Sequence, residues 1–266
     1  MKLVLPFVLF IAILSRFILA ADAPPKPDWV EPMQKIHAGF TGTPGYVAQF
    51  GDSITYSMAF WKPMSWSDPD QYLKDDGLPK RPEKRWRDVI KGAGDDGKGA
   101  AAGNYSGWRV GDLLKAVPNA LAANKPEVAL IMIGTNDISA GTVPADYQPG
   151  LEKLVQLCLD AKCIPILNTI PPKRGKLDAV EAANNIIRDV AARHKIPLVD
   201  FHATILSHAP DGKWDGTLIS ADGVHPSGGA TQDYSDDNLH KSGYALRNWV
   251  NFLMFREVYF KVLAVK

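Results

Sequence analysis

The residue types that could do chemistry fall in four short blocks. Ser53, in Gly51-Asp52-Ser53-Ile54-Thr55, is a candidate nucleophile. Asp222 and His225, in Asp222-Gly223-Val224-His225-Pro226, are a candidate acid and base three residues apart. A serine hydroxyl attacks poorly until a base takes its proton, and that base is usually a histidine oriented by a carboxylate. One loop, stiffened by Pro226, can present both partners. Acyl transfer also needs preorganised donors for the oxyanion. The backbone N–H groups of Ser53 and Gly107 and the side-chain amide of Asn136, in Gly134-Thr135-Asn136-Asp137, are the candidates. Gly107 has no side chain to keep a ligand off the backbone. Each block alone also reads as ordinary turn or cap chemistry, because Ser and Asp favour helix N-caps and Asn and Gly favour turns.

The elements around these blocks give them a common address. Tyr46–Phe50, Val128–Ile133, Ile164–Thr169 and Pro197–Phe201 are short apolar runs ending in turn residues, and they are predicted as strands. Amphipathic segments near 81–91, 110–123, 151–161, 177–194 and 242–262 alternate with them. The clearest has Val180, Ala183, Ile187, Val190 and Ala191 at helical spacing. On the last, Leu246, Val250, Leu253, Met254 and Val258 mark the expected apolar side. Strands alternating with helices predict an α/β fold with a parallel sheet covered on both faces. Ligands bind such sheets at the carboxyl ends of the strands, where Ser53 and Asn136 fall. Two stretches escape the pattern: residues 58–100, rich in Pro, Asp, Lys and Gly with Trp61, Trp66 and Trp86, and the polar loop 226–241.

The chain of 266 residues carries 30 Lys and Arg against 29 Asp and Glu, a balance that argues against nucleic acid as a partner. Residues 1–20 read as a signal peptide: Lys2, an apolar block from Leu3 to Leu14, then small residues at Ala20 and Ala21. Arg16 interrupts the run, which disfavours a membrane span. The expectation is therefore a secreted or periplasmic protein with no stable span after cleavage. Residues 21–44 are expected as an N-terminal extension with a stiff Pro24–Pro27 linker, and 45–266 as the working domain. Cys158 and Cys163 suit either a disulfide in an oxidising compartment or two small buried side chains.

Taken together and in order, Gly51–Thr55, Gly107 within Asn104–Trp108, Gly134–Asp137 and Asp222–Pro226 resemble the SGNH hydrolases, also called GDSL-like esterases and lipases. The likeness runs from about residue 45 to about 244. It implies a three-layer α/β/α sandwich of flavodoxin-like type with a mostly parallel sheet. It also implies Ser53 as nucleophile, His225 as base, Asp222 as its acid, and Ser53, Gly107 and Asn136 as oxyanion donors. An α/β-hydrolase would need a G-x-S-x-G elbow, and Thr55 stands where its second glycine belongs. Three departures mark this chain. Gly99–Gly103 replaces a usual strand before Gly107, the stretch between the first two blocks is long, and Gly243-Tyr244 arrives late after His225.

The expected activity is that of a secreted serine esterase cleaving short-chain, acetyl-type esters, first of all on a polysaccharide, without a cofactor or metal. A lipase or lysophospholipase, or a carbohydrate-binding protein that keeps the fold without turnover, are the alternatives. Trp108 and Arg109 are candidate substrate contacts. Asp233, Asp236 and Asp237 lack the spacing of an EF-hand calcium loop.

Overall fold

The computed structural model describes residues 27–265. The expected signal peptide at 1–20 and nearly all of the proline linker lie outside them. Four strands, β1 (Thr43–Gly51), β2 (Pro126–Met132), β3 (Ile164–Asn168) and β4 (Leu198–Val199), pair in that order and all run parallel. Their sequences are continuous apolar runs because both faces of a parallel sheet are covered; every residue of β2 is buried.

The helices are α1 (Val30–His37), the one-turn α2 (Ser53–Tyr56) and α3 (Trp86–Val89), α4 (Val110–Asn124), α5 (Tyr147–Asp160), α6 (Leu177–His194), α7 (Phe201–His208), the one-turn α8 (Asp236–Leu239), and α9 (Gly243–Val258). α4, α5 and α6 pack side by side against the sheet, while α1 and α9 meet its other side. The sheet is thus sandwiched, as the alternating pattern predicts. α6 has the predicted bounds. α5 begins earlier than predicted, at Tyr147, because Pro149 sits in the first turn, where its missing N–H has no intrahelical partner.

The predicted helix over 81–91 shrinks to the single turn α3. Pro82 stands ahead of it, and beyond it the chain turns extended so that Lys91 can pair with Tyr46 of β1. A second isolated parallel pairing joins Gly51 to Asn104. Residues 91–104 therefore run beside β1 where a further strand would lie, but Ala100–Ala102 form a 3₁₀ turn in place of a strand. The low β-propensity of that glycine–alanine run accounts for the change.

The inner face of α9 also differs from the apolar stripe expected. Leu246 and Val258 are buried, but Val250, Leu253 and Met254 are only half-buried. Arg247, Asn248, Asn251 and Arg256 are turned inward instead. Each has partners: Asn248 accepts from Trp61 N–H and donates to Ala59 O, and Arg256 grips both oxygens of Asp76 and the Leu78 and Pro79 carbonyls. These bonds fasten the long 58–100 excursion to the body. Trp61 and Trp86 fill the core beneath it, and Trp66 stays exposed.

Part of the expected N-terminal extension belongs to the folded body. Val30 and Met33 of α1 are fully buried, and Gln34 donates to the Lys261 carbonyl at 2.7 Å. Cys158 and Cys163 are free, buried thiols, so the disulfide does not form.

Candidate active site

Ser53 is the first residue of α2, at the carboxyl end of β1. Gly51 ends the strand in a place no other residue fits, since a Cβ there would lie 2.2 Å from the Met132 carbonyl oxygen. Asp52 caps the turn, its Oδ1 accepting from Ile54 N–H at 3.0 Å. The Asp52 carboxyl is completely buried, and Oδ2 has no partner among the described residues. Burial pushes its pKa up to about 6, against the Ile54 hydrogen bond and the attraction of Arg247 and His225.

Two basic side chains close the other end of the turn. Arg247, buried and stacked on the Phe60 ring, donates to Ile54 O at 2.8 Å and Thr55 Oγ1 at 2.9 Å. Lys98 donates to Thr55 O at 2.7 Å and Phe60 O at 3.1 Å. Burial, reinforced by the Arg247 and Lys62 charges, brings the Lys98 amine down to about 6. Burial likewise brings Arg247 down to about 10. Donors at the carbonyl end of the turn satisfy the groups that a one-turn helix leaves open.

The structure brings Ser53, His225 and Asp222 together. Ser53 Oγ lies 2.9 Å from His225 Nε2, and His225 Nδ1 lies 2.6 Å from Asp222 Oδ2. The other carboxylate oxygen of Asp222 accepts from Ser220 Oγ, Val224 N–H and His225 N–H at 2.7–3.0 Å. Partial burial would raise this carboxyl, but the hydrogen bonds from Ser220, His225 and Val224 outweigh it and hold it well below the usual range. An anionic Asp222 beside Nδ1 fixes the tautomer with its proton on Nδ1, leaving Nε2 free to accept the Ser53 proton.

Gly107 and Asn136 also reach this edge. Gly107 has φ +80°, a conformation that glycine takes without strain, and a Cβ there would meet open space. The glycine is thus needed for its backbone angle rather than for close packing. The Ser53 and Gly107 N–H groups donate to no acceptor among the described residues. Asn136 Nδ2 donates one hydrogen to Trp108 O at 3.0 Å and keeps the other. Its neighbour Asp137 accepts from Val110 N–H, so the Gly134–Asp137 loop grips the start of α4 and the chain just after Gly107. Trp108 is half-buried against the core, and Arg109 is exposed, its backbone N–H donating to Asp112.

The chain matches the GDSL-like lipase/acylhydrolase family over residues 50–230, from the end of β1 to past His225. It belongs to that family. It is 32% identical over 116 residues to Esterase TesA of Pseudomonas aeruginosa, a match covering 43% of this chain and 54% of the relative. The match thus spans about half the length of that curated relative. The GDSL-like fold is shared with a lipolytic protein of the G-D-S-L family from Desulfitobacterium hafniense, with TM-score 0.54, 18% identity, and 79% of this chain and 99% of that one covered. A carbohydrate esterase family 3 structure from Talaromyces cellulolyticus aligns with TM-score 0.51 and 18% identity, over 80% and 98% of the chains.

Several residues that shape this GDSL-like site carry no signal of their own in the sequence. Arg174 makes a two-pronged ion pair with Asp215 at 2.6 Å and donates to Ala221 O at 3.1 Å. Its backbone N–H donates to Gly223 O, so it braces the loop bearing Asp222 and His225. Lys173 does the same for the neighbouring loop, donating to Thr135 O and Ser139 Oγ. The pair lies in the Pro171–Arg174 stretch that follows β3, a position visible in the sequence although the partners are not.

Proposed function

We propose that this protein is a serine esterase that hydrolyses short-chain, acetyl-type esters carried by an extracellular polysaccharide. The observation that carries the catalytic part is the unbroken hydrogen-bonded line from Ser53 Oγ through the His225 ring to Asp222. Ser53 Oγ attacks the ester carbonyl carbon while His225 Nε2 takes its proton. The carbonyl oxygen becomes an oxyanion that receives hydrogen bonds from Ser53 N–H, Gly107 N–H and the free Asn136 amide hydrogen. His225 then protonates the departing alcohol oxygen as the carbon–oxygen bond breaks, leaving an acyl ester on Ser53. Water, deprotonated by His225, attacks that ester, and the carboxylic acid leaves as Ser53 recovers its proton.

Two features support the substrate and location. The apolar block at Leu3–Leu14, followed by Ala20-Ala21, supports export. Near-neutral charge and an aromatic, open rim at the serine support a neutral sugar ester over an anionic lipid surface. No described helix is long and apolar enough to cross a membrane.

A fluorophosphonate probe tests the nucleophile. The purified protein is expected to label, and Ser53→Ala to lose labelling and esterase activity; equal labelling of the variant would remove Ser53 from its role. Rates on acetyl, butyryl and long-chain esters and on acetylated polysaccharides test the substrate. A preference for long acyl chains would favour a lipase-type activity instead.

A further inference from the structure

We infer that Tyr56, Tyr105 and Trp108 form a stacking platform for the sugar ring that bears the ester, an inference resting on the esterase reading above. Three aromatic rings follow one another along the rim of the site. Tyr56 and Tyr105 lie with centroids 5.2 Å apart at 42°, and Tyr105 and Trp108 6.1 Å apart at 47°. Tyr56 is in the same helical turn as Ser53, and Tyr105 and Trp108 flank Gly107. The strip therefore runs between the nucleophile and a candidate oxyanion donor.

Its position is built, not accidental. Tyr105 N–H donates to the Gly51 carbonyl at 3.3 Å, next to the isolated pairing of Asn104 with Gly51. Asn104 is fully buried, and its amide donates to Gln49 O and Gly97 O. Trp108 is held through its carbonyl by Asn136. Yet two of the rings are exposed, Tyr56 at 36% and Tyr105 at 47%, while Trp108 is half-buried against the core. Leaving large aromatic faces exposed forgoes burial energy, and clustered exposure of this kind marks binding surfaces.

The chemistry of the strip favours a sugar over an acyl chain. An acyl chain gains most from an enclosed aliphatic lining, whereas these rings are tilted and open to one side. A pyranose lays one C–H face on an aromatic ring and keeps its hydroxyls in contact with polar groups. Tyr56 and Tyr105 are exposed, which leaves their phenol hydroxyls open to those of a sugar. Exposed Ser106 and Arg109 flank the strip with further donors.

The test compares kcat/KM on an acetylated xylo-oligosaccharide with kcat/KM on ethyl acetate, which has no ring to stack. For Tyr105→Ala the ratio is expected to fall about tenfold, mainly through KM on the oligosaccharide, in line with one lost ring contact. Tyr105→Phe, which keeps the ring, is expected to hold the ratio within about twofold. In a Ser53→Ala background, binding of the unacetylated oligosaccharide, read by calorimetry, is expected to weaken on adding Tyr105→Ala. An unchanged ratio, or equal losses on both esters, overturns the platform while leaving the esterase intact. A parent protein that cleaves ethyl acetate but no acetylated oligosaccharide overturns the sugar reading itself.

Discussion

At the scale of single residues, the turn that carries Ser53 is surrounded by polar groups that burial has detuned. Asp52 has one oxygen capping the turn and one with no partner among the described residues, and Lys98 has an amine brought down to about 6. A neutral amine has two hydrogens, and both Lys98 bonds, to Thr55 O and Phe60 O, use them. In the unfolded chain a lysine titrates near 10.4. From about pH 6 to 10 the unfolded chain therefore holds a proton that the fold does not, and stability rises with pH in that window. Its contribution is lost as pH falls toward 6. Asp52, raised rather than lowered, acts in the opposite sense and at more acid pH, so the range 6.5–8 isolates Lys98. Lys98→Met is expected to flatten the slope of urea stability over that range by roughly 1 kcal/mol per pH unit; parallel curves would show that the amine is charged in the fold. Asn136 gives a second prediction. Its amide has one hydrogen on Trp108 O and one free, so Asn136→Ala is expected to lower kcat by about 10²–10³ with little change in KM. Unaltered kcat would reduce it to a tether for the loop.

At the scale of elements, loops are braced in pairs by the Pro171–Arg174 segment after β3. Arg174 is the clearest case, pairing with Asp215 and holding Ala221 O while the Gly223 carbonyl accepts its N–H. Its ion pair is exposed, so it contributes little to stability. Its effect falls on the placement of His225, where a small shift costs rate heavily. Arg174→Ala is therefore expected to lower kcat by about ten- to a hundredfold while KM and the melting temperature stay nearly unchanged. A matching fall in melting temperature would make the pair structural. The same scale shows what a sequence displays. β1, β2, β3 and α6 were legible because unbroken apolar runs and helical spacing survive in them, and the four polar blocks were legible because residue type and order are local facts. Arg174, Lys98 and Arg247 were not, because their partners are distant carbonyls, a carboxylate and a hydroxyl that leave no pattern in the chain. α9 misled for the same reason: its inward Arg247, Asn248 and Arg256 bind backbone groups of α2 and of the 58–100 excursion, Asn251 donates to Asn168 Oδ1 of β3, and together they blur the apolar stripe.

At the scale of the whole molecule, the sheet is closed at its back by the segment ahead of β1. α1 lays Val30 and Met33 into the core, and His37 and the Gly45 N–H both bond Glu127, at 2.8 and 2.6 Å, which ties α1 and β1 to the start of β2. Gln34 reaches the Lys261 carbonyl near the other end of the chain. Sequence alone gave no reason to fold this stretch inward, since one helical turn pair after a proline run carries too few apolar positions to show a face. The consequence is a division of labour: α1 holds the body together and lies away from the strand ends that carry Ser53 and Asn136. Met33→Ala removes a fully buried side chain from a close-packed interior. It is expected to cost about 2–5 kcal/mol, read as a lower urea midpoint with an unchanged slope. Esterase kcat and KM at a temperature where the variant stays folded are expected to match the parent, because α1 packs mainly on the 259–263 segment and β3. A midpoint unmoved by the substitution would mean that α1 is a loose appendage and that the body needs only the residues from β1 onward.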